Sequence, residues 1–244
     1  FERDTGRPLQ PALVWQCRRG EEACAQLSAA GWDEKVHART GLKIDPYFSA
    51  TKMAWMLRNI EGADQLGDRL AFGTVESWLV WNLTGGLHVS DVSNASRTSL
   101  FALTGQSWDE GLCDLFGVPR GALPEVVPST GAFGTTRPEL FGVAIPITGL
   151  AGDQQAATIG QACLAPGQTK ATYGTGAFVL TCQGRKIPRS TNRLLGTVLT
   201  QLDGQRTYAI EGSVFVAGSL VQWLRDSLGI VQVAEETEAL ARSI

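Results

Sequence analysis

The segment Gly149-Leu150-Ala151-Gly152-Asp153-Gln154-Gln155-Ala156-Ala157 determines how the chain is organised. The apolar residues 143–148 before it predict a strand, and the residues after Asp153 predict a helix. Helix and strand patterns alternate through the rest of the chain, which predicts an α/β fold class. The segment therefore carries a strand through two glycines into a helix, and Asp153 is expected in the first turn of that helix.

Asp153 has a structural and a chemical interpretation. Aspartate is a preferred helix N-cap residue, and considered alone the pattern favours that structural role. Phosphoryl transfer to an alcohol requires a group that accepts the hydroxyl proton, and a carboxylate at the end of a strand can supply it. Taken alone, the local pattern therefore favours the N-cap interpretation over the chemical one.

Helices dominate the N-terminal side of this segment. Ser49 to Ile60 predicts an amphipathic helix, and a second begins at Thr74 and ends at Gly85. Ser107-Trp108-Asp109-Glu110 fits a capping box at the start of a third. Leu13-Val14-Trp15 predicts the end of a buried strand that a polar helix follows. Residues 118–141 are rich in Pro, Gly, Ser and Thr, which predicts surface loops.

Strands dominate the C-terminal side. The pattern predicts four consecutive strands, at about residues 168–173, 177–182, 195–201 and 206–210. A helix is expected from Ser213 to Leu228. Ala165-Pro166-Gly167 indicates a domain boundary, so the predicted domains are residues 1–162 and 163–244.

The composition excludes several classes of function. A net charge of −3 with 18% charged residues offers no basic surface for nucleic acid. No apolar run is long enough to span a bilayer, so membrane insertion is not expected. The five cysteines form no Cys-x-x-Cys pair, which favours reduced thiols and a cytoplasmic location. The two histidines, His37 and His88, lie beside no candidate nucleophile, which argues against a histidine-dependent hydrolase, and no metal site is predicted within the chain.

A second segment, Tyr47 to Asn59, identifies the chain as similar to a known family. Its aromatic residue, the serine two positions later and the following Lys, Trp and Asn fit the first signature of the FGGY carbohydrate kinases. The resemblance extends over essentially all 244 residues. It implies an actin-like ATPase (ribonuclease H-like) two-domain kinase. Residues 1–162 would be the later part of the N-terminal substrate domain, and residues 163–244 the start of the C-terminal nucleotide domain.

The resemblance is closest to the members of the family that phosphorylate glycerol. It implies that Asp153 is the catalytic base, and that the substrate-binding residues are Trp15, Tyr47, Asp153, Gln154 and Phe178. Considered locally, Tyr47 could instead pack at the entrance of its helix. The string from Ser93 to Thr98 is also shared with these members, and we interpret it as structural.

The nucleotide-binding residues implied by the resemblance are Thr175, Gly218 and Gln222. Thr175 lies in a glycine-flanked turn, where backbone amides can approach a phosphate. Gly218 and Gln222 are four residues apart and would share a helix face. A plain hairpin turn and a simple amphipathic helix remain alternatives for these two segments.

The implied activity is ATP-dependent phosphorylation of glycerol to glycerol 3-phosphate, with Mg²⁺ as cofactor. The chain begins with Phe1, and we expect it to be an interior portion of an enzyme, without either end. In the family the phosphate loop and most metal ligands lie upstream, so the 244 residues alone are expected to be inactive. The intact enzyme is expected to be a homo-oligomer. Two alternatives remain, a kinase for another polyol or ketose and a non-catalytic relative that binds a polyol or nucleotide.

Overall fold

The structure, a computed structural model, describes residues 1–244. Two 3-10 helices, Asp64–Arg69 and Arg120–Ala122, supplement the regular helices and strands. The α-helices are α1 Glu21–Ala29, α2 Asp33–Thr40, α3 Ser49–Asn59, α4 Val75–Thr84, α5 Val92–Ala95, α6 Glu110–Phe116, α7 Pro138–Phe141, α8 Asp153–Gly160, α9 Gly218–Asp226 and α10 Glu236–Arg242. The strands are β1 Val89–Asp91, β2 Glu125–Val127, β3 Thr169–Tyr173, β4 Ala177–Gly184, β5 Leu195–Leu202 and β6 Gln205–Val214.

The strands form two sheets. β1 and β2 pair in parallel, with Val89 opposite Glu125. The other four strands form an antiparallel sheet in the order β3-β4-β6-β5. The prediction of four consecutive strands is therefore confirmed, because their β-branched residues and glycine turns give a clear pattern.

Helices α3 and α4 confirm the predictions for these segments. α3 buries one face against the core, including Met53. α4 follows Thr74 and ends at Gly85, whose φ of 83° is a left-handed cap that glycine adopts without a Cβ clash. Neither these helices nor the others are long and apolar enough to cross a membrane.

Three predicted elements differ in the structure. Residues 143–148 form one isolated bridge, between Pro146 and Thr135, instead of a strand, since Pro146 has no N–H to donate to a ladder. Leu13-Val14-Trp15 is exposed and irregular. The predicted start of the last long helix is wrong because β6 continues to Val214 and α9 begins only at Gly218.

Two details of the loop regions also differ. The cap of α6 is Asp109 and not Ser107, because the Asp109 carboxylate accepts a hydrogen bond from the Leu112 amide. Residues 118–141, predicted as surface loops, lie only partly at the surface, since they contribute β2 and buried side chains such as Leu123 and Phe133. All five cysteines are free thiols.

One hydrophobic core connects the helices with the four-stranded sheet. Its twenty buried residues include Phe101 and Leu112 from the helical part and Val198 and Tyr208 from β5 and β6. Polar contacts cross the same boundary, for example between Ser96 Oγ and Thr197 Oγ1 at 3.0 Å. The sheet is thus fixed against the N-terminal helices, and the loop before α8 lies beside their junction.

Candidate active site

The loop that carries Asp153 is fixed by buried hydrogen bonds. The Gly152 amide donates to Ser93 Oγ at 2.9 Å, and Ser93 Oγ donates to Asp91 Oδ1 at 2.8 Å. The other oxygen of Asp91 accepts a hydrogen bond from Ser129 Oγ at 2.7 Å. Because Asp91 and Ser93 are buried, these bonds are protected from competition with water. The string beginning at Ser93, interpreted as structural, therefore positions the residue next to Asp153.

Asp153 is exposed and is the first residue of α8. Gly152 occupies the N-cap position, and no side chain caps this helix. Asp153 Oδ1 accepts a hydrogen bond from the Gln154 amide at 2.8 Å, whereas Oδ2 has no partner in the protein. The structure therefore contradicts the N-cap interpretation and leaves one carboxylate oxygen free to accept a proton.

Gln154 is joined to a buried lysine. Lys170, on β3, has only 4% of its surface exposed, and its Nζ donates to Gln154 Oε1 at 2.5 Å. Burial lowers the pKa of Lys170, while the nearby carboxylates of Asp153 and Glu211 oppose that shift. The sequence analysis missed Lys170. No signal in the sequence distinguishes it, because whether a strand residue faces inward depends on the register of the sheet.

The predicted aromatic residues form a single cluster. The Trp15 ring lies 6.1 Å from both the Tyr47 ring and the Phe178 ring, edge-on in each case. Phe215, which was not predicted, stacks on Tyr47 at 5.2 Å and lies 5.7 Å from Trp15. Trp15 is 37% exposed, so the cluster is open to solvent on one side. It offers an apolar wall to the carbon atoms of a small ligand.

The Tyr47 hydroxyl supplies a polar group at this wall. Burial raises its pKa, and the nearby Arg97 guanidinium, which can donate a hydrogen bond to the hydroxyl oxygen, opposes that shift. Tyr47 is therefore protonated at neutral pH and able to donate. The buried Lys52 amine donates to the carbonyls of Pro46 and, at 2.9 Å, of Tyr47. This contact explains why a lysine follows the aromatic residue in the segment that begins at Tyr47.

A buried ion pair lies beneath the aromatic cluster. Arg97 Nη2 donates to Glu211 Oε1 at 2.8 Å, and the side chain of Glu211 is 0% exposed. The Arg97 guanidinium lies 5.9 Å from the centre of the Tyr47 ring. Arg97 Nη1 and Glu211 Oε2 are buried without partners. The pair was not predicted, and it connects the helical part of the chain with β6 directly below the predicted substrate residues.

The predicted nucleotide residues Thr175 and Gly218 are in direct contact. The amide of Gly218 donates to the carbonyl of Gly174 at 2.9 Å, and the amide of Ala217 donates to the carbonyl of Thr175 at 2.8 Å. A Cβ atom on Gly218 would lie 2.5 Å from the Gly174 oxygen, so only glycine permits this approach. The turn between β3 and β4 thus rests on the N-terminus of α9, and the Thr175 side chain is exposed.

Gln222 lies one turn beyond Gly218 on α9. Residues four apart share a helix face, so the two side-chain positions follow each other along that face. Gln222 is exposed and makes no side-chain hydrogen bond within the protein. Its amide is therefore available to a ligand placed along α9.

A separate cavity of the molecule lies elsewhere. It has a volume of about 850 Å³ and is open to solvent, between the end of α3 and the two 3-10 helices. None of the predicted site residues lines it. The Asp153 carboxylate instead lies close enough to Tyr47 to contribute to its raised pKa, Gln154 contacts Lys170 of β3, and Gly176 of the glycine turn adjoins Phe178. These contacts define the candidate active site, which comprises Trp15, Tyr47, Asp153, Gln154 and Phe178.

Comparison with solved structures gives the class of the protein. The chain superimposes on the crystal structure of Plasmodium falciparum glycerol kinase with ADP with a TM-score of 0.90 and 36% identity, over 100% of this chain and 49% of the other. A xylulose kinase from Brucella ovis matches with a TM-score of 0.77 and 26% identity, over 91% and 45% of the two chains. The chain thus has the fold of the actin-like sugar kinases, as predicted.

Sequence comparison then gives the family. Residues 1–160 match the FGGY family of carbohydrate kinases, N-terminal domain. The chain is also 54% identical to the glycerol kinase of Alcanivorax borkumensis over its whole length. It belongs to the FGGY family of carbohydrate kinases. The chain spans about half the length of that relative, which it covers to 50%. The division into residues 1–162 and 163–244 stays a prediction.

Proposed function

We propose that the protein carrying these residues transfers the terminal phosphoryl group of ATP to glycerol and forms glycerol 3-phosphate. One observation carries the proposal: Asp153 has a carboxylate oxygen without a partner in the protein and lies close enough to Tyr47 of the aromatic wall to affect the pKa of its hydroxyl. The 54% identity to a glycerol kinase over the whole chain supports the choice of substrate. Cytoplasmic location and homo-oligomer formation stay parts of this proposal.

The three-carbon substrate would lie against Trp15, Tyr47 and Phe178. The Tyr47 hydroxyl and the Gln154 amide would hydrogen-bond its hydroxyl groups. Asp153 Oδ2 would accept the proton of the reacting hydroxyl while that oxygen attacks the terminal phosphorus and ADP leaves. Such transfer depends mainly on positioning and electrostatics, so fixing the Asp153 loop through Asp91 and Ser93 serves catalysis directly.

The nucleotide would lie along the glycine turn between β3 and β4 and along α9. Thr175 would offer its exposed hydroxyl and the backbone of the glycine turn to the phosphates, and the N-terminus of α9 favours negative charge there. Gly218 leaves room for the nucleotide beside the helix, and Gln222 would hydrogen-bond it. The Plasmodium falciparum structure that this chain resembles contains ADP.

Mg²⁺ would neutralise charge on the phosphates. In phosphoryl-transfer sites it is usually held by one or two carboxylates together with phosphate oxygens. Among the predicted site residues Asp153 is the only carboxylate, and the chain contains no group of three potential metal ligands. The residues present can therefore supply at most one protein ligand for this ion. We propose that its other protein ligands lie outside residues 1–244.

The test is a kinase assay with glycerol and ATP on the full-length protein and on the 244-residue chain. We expect turnover only in the full-length protein, and a loss of about 10²- to 10⁴-fold in kcat for Asp153→Asn. The exposed Asp203 in the turn between β5 and β6 provides the matched control, since Asp203→Asn should keep full activity. No phosphorylation of glycerol, or undiminished turnover by Asp153→Asn, would contradict the proposal.

A kinase for another polyol or a ketose is the second candidate. It is favoured by the 26% identical xylulose kinase whose structure the chain matches. Including xylulose and longer polyols in the assay separates the two, because the aromatic wall should favour a three-carbon substrate. A non-catalytic relative would bind glycerol or nucleotide without releasing ADP. The acidic chain offers no basic surface, so no nucleic-acid partner is proposed.

A further inference from the structure

Lys170 is a buried charge in a place where an apolar residue would satisfy the fold. It points inward from β3, between the exposed Thr169 and Ala171, and pairs with the fully buried Leu180 of β4. Buried lysines are rare unless they are paired, because removing the ammonium from water is costly. The one hydrogen bond that Lys170 makes through its side chain goes to Gln154 Oε1 at 2.5 Å.

This contact decides how the Gln154 amide is oriented. A glutamine side chain can turn either its carbonyl or its NH₂ group toward a ligand. An ammonium group only donates, so Lys170 holds the carbonyl oxygen and turns Nε2 away from itself. Nε2 makes no hydrogen bond within the protein and is not enclosed. Gln154 therefore meets its ligand as a donor only.

The arrangement complements the neighbouring Asp153. The free Asp153 Oδ2 accepts, and the fixed Gln154 Nε2 donates, at adjacent positions in the first turn of α8. A hydroxyl group can satisfy both at once, since it donates its proton to the carboxylate and accepts from the amide. Lys170 also lies close enough to Asp153 and Glu211 for both carboxylates to stabilise its charge. Asp153, Gln154 and Lys170 would thus form one unit that recognises an alcohol.

We infer that Lys170 is a positioning residue that fixes Gln154 as a hydrogen-bond donor to the substrate hydroxyl. This inference rests on the proposed function, because it specifies which group donates and which accepts the hydrogen bonds to the substrate in the same site. Lys170 does not touch the substrate and acts through Gln154. The sequence resemblance assigned a role to Gln154 but none to Lys170.

The test is a double-mutant cycle in the full-length protein with Lys170→Met, Gln154→Ala and their combination. We expect Lys170→Met to raise the KM for glycerol about tenfold, because the loss of one hydrogen bond typically weakens binding by about that factor. The substitution should change kcat much less. In the Gln154→Ala background the same substitution should change KM by less than about twofold. Lys170→Arg keeps a charged donor and should restore most of the affinity. Lys186→Met removes an exposed lysine of the same sheet region and should have no effect.

A second variant keeps the inference testable if Lys170→Met does not fold. Gln154→Glu preserves the contact with the Lys170 ammonium but has no N–H to donate, so it should fold normally and lose glycerol binding. Wild-type affinity of Gln154→Glu, or independent effects of Lys170→Met and Gln154→Ala, would overturn the inference while the proposed function stands. If the wild type phosphorylates another polyol or ketose, the substrate proposal fails and the cycle is measured with that compound. If it accepts neither class, both proposals fail.

Discussion

Two charged residues under the aromatic wall, Arg97 and Glu211, connect the N-terminal helical part of the chain with the four-stranded sheet. Arg97 comes from the segment after α5, and Glu211 comes from β6, 114 residues later. Glu211 is enclosed completely, and only Arg97 and Ser213 bond its carboxylate. The ion pair therefore fixes β6 below Tyr47, and a change in either residue should affect the whole site.

Removing one partner of this pair should destabilise the protein strongly. Glu211→Ala or Arg97→Ala leaves a buried charge uncompensated, and we expect each to lower the free energy of unfolding by about 3–5 kcal/mol. The double variant Arg97→Met/Glu211→Met removes both charges and keeps side-chain volume, so its loss should be much smaller than the sum. Denaturant unfolding measures all three.

The control for this prediction is an exposed ion pair. Arg242 and Glu238 lie one turn apart on α10 and are both more than 70% exposed. Glu238→Ala should therefore cost less than about 1 kcal/mol. A loss for Glu211→Ala as small as that of Glu238→Ala would show that the buried pair contributes nothing to stability.

Sequence alone indicates part of this site at the residue level. Asp153, Gln154 and Tyr47 stand in long strings with family resemblance, and the structure places Asp153 close enough to Tyr47 to affect its pKa. Lys170 and Glu211 are single charged residues within strands, and whether such a side chain points inward depends on the register of the sheet. That register comes from pairing partners that are distant in sequence, so these residues could not be assigned before the fold was known.

At the level of elements, the contact between the β3–β4 turn and α9 is the feature most sensitive to side-chain size. Gly218→Ala would place a methyl group 2.5 Å from the Gly174 carbonyl and force the turn and helix apart. We expect ADP to bind roughly ten- to a hundredfold more weakly. Stability should change little, because alanine is the better helix former. Titration calorimetry and thermal unfolding measure the two effects.

Gly160 offers the matched control for that prediction. It ends α8, and a Cβ atom there meets nothing within 4 Å. Gly160→Ala should leave ADP affinity unchanged. Equal ADP affinity of the Gly218→Ala and Gly160→Ala variants would refute a role for the close contact in nucleotide binding.

Element prediction succeeded where one pattern was continuous and failed where it was interrupted. α3 has an uninterrupted apolar stripe, and its predicted bounds agree with the structure to one residue. Residues 143–148 are as apolar as a strand, but Pro146 interrupts their pairing and five of the six residues remain exposed. The strand β6 continues through Gly212 to Val214, and residues 215–217 contain no glycine or proline to mark its end, so the start of α9 was placed too early.

For the whole molecule, the shared core implies that the two predicted domains of this chain remain together without a covalent link. Residues 161–168 are almost entirely exposed and form the single covalent connection. Across it, Gln155 Nε2 donates to the Val198 carbonyl at 3.3 Å, and Arg206 donates to the Leu103 carbonyl at 2.8 Å. Val198 and Tyr208 also belong to the common core.

Cutting this connection tests the implication. A protease site inserted between Leu164 and Ala165 should be cleaved rapidly, since both residues are exposed. The two pieces should then elute together in size-exclusion chromatography and separate only in denaturant. The uncut insertion variant is the control for effects of the insertion itself. Separation of the pieces under native conditions would contradict the shared core.

The Arg97–Glu211 pair also has a consequence for synthesis on the ribosome. Translation proceeds at about 5–20 residues per second, so the 114 residues between the partners require on the order of ten seconds. During that interval the nascent chain already contains Tyr47 and Arg97, but the strand that will enclose them does not yet exist. We expect the Arg97 guanidinium to stay hydrated during that interval, because burying a charge without its partner is costly. Its hydration should then keep the segment around Tyr47 open until β6 has been synthesised.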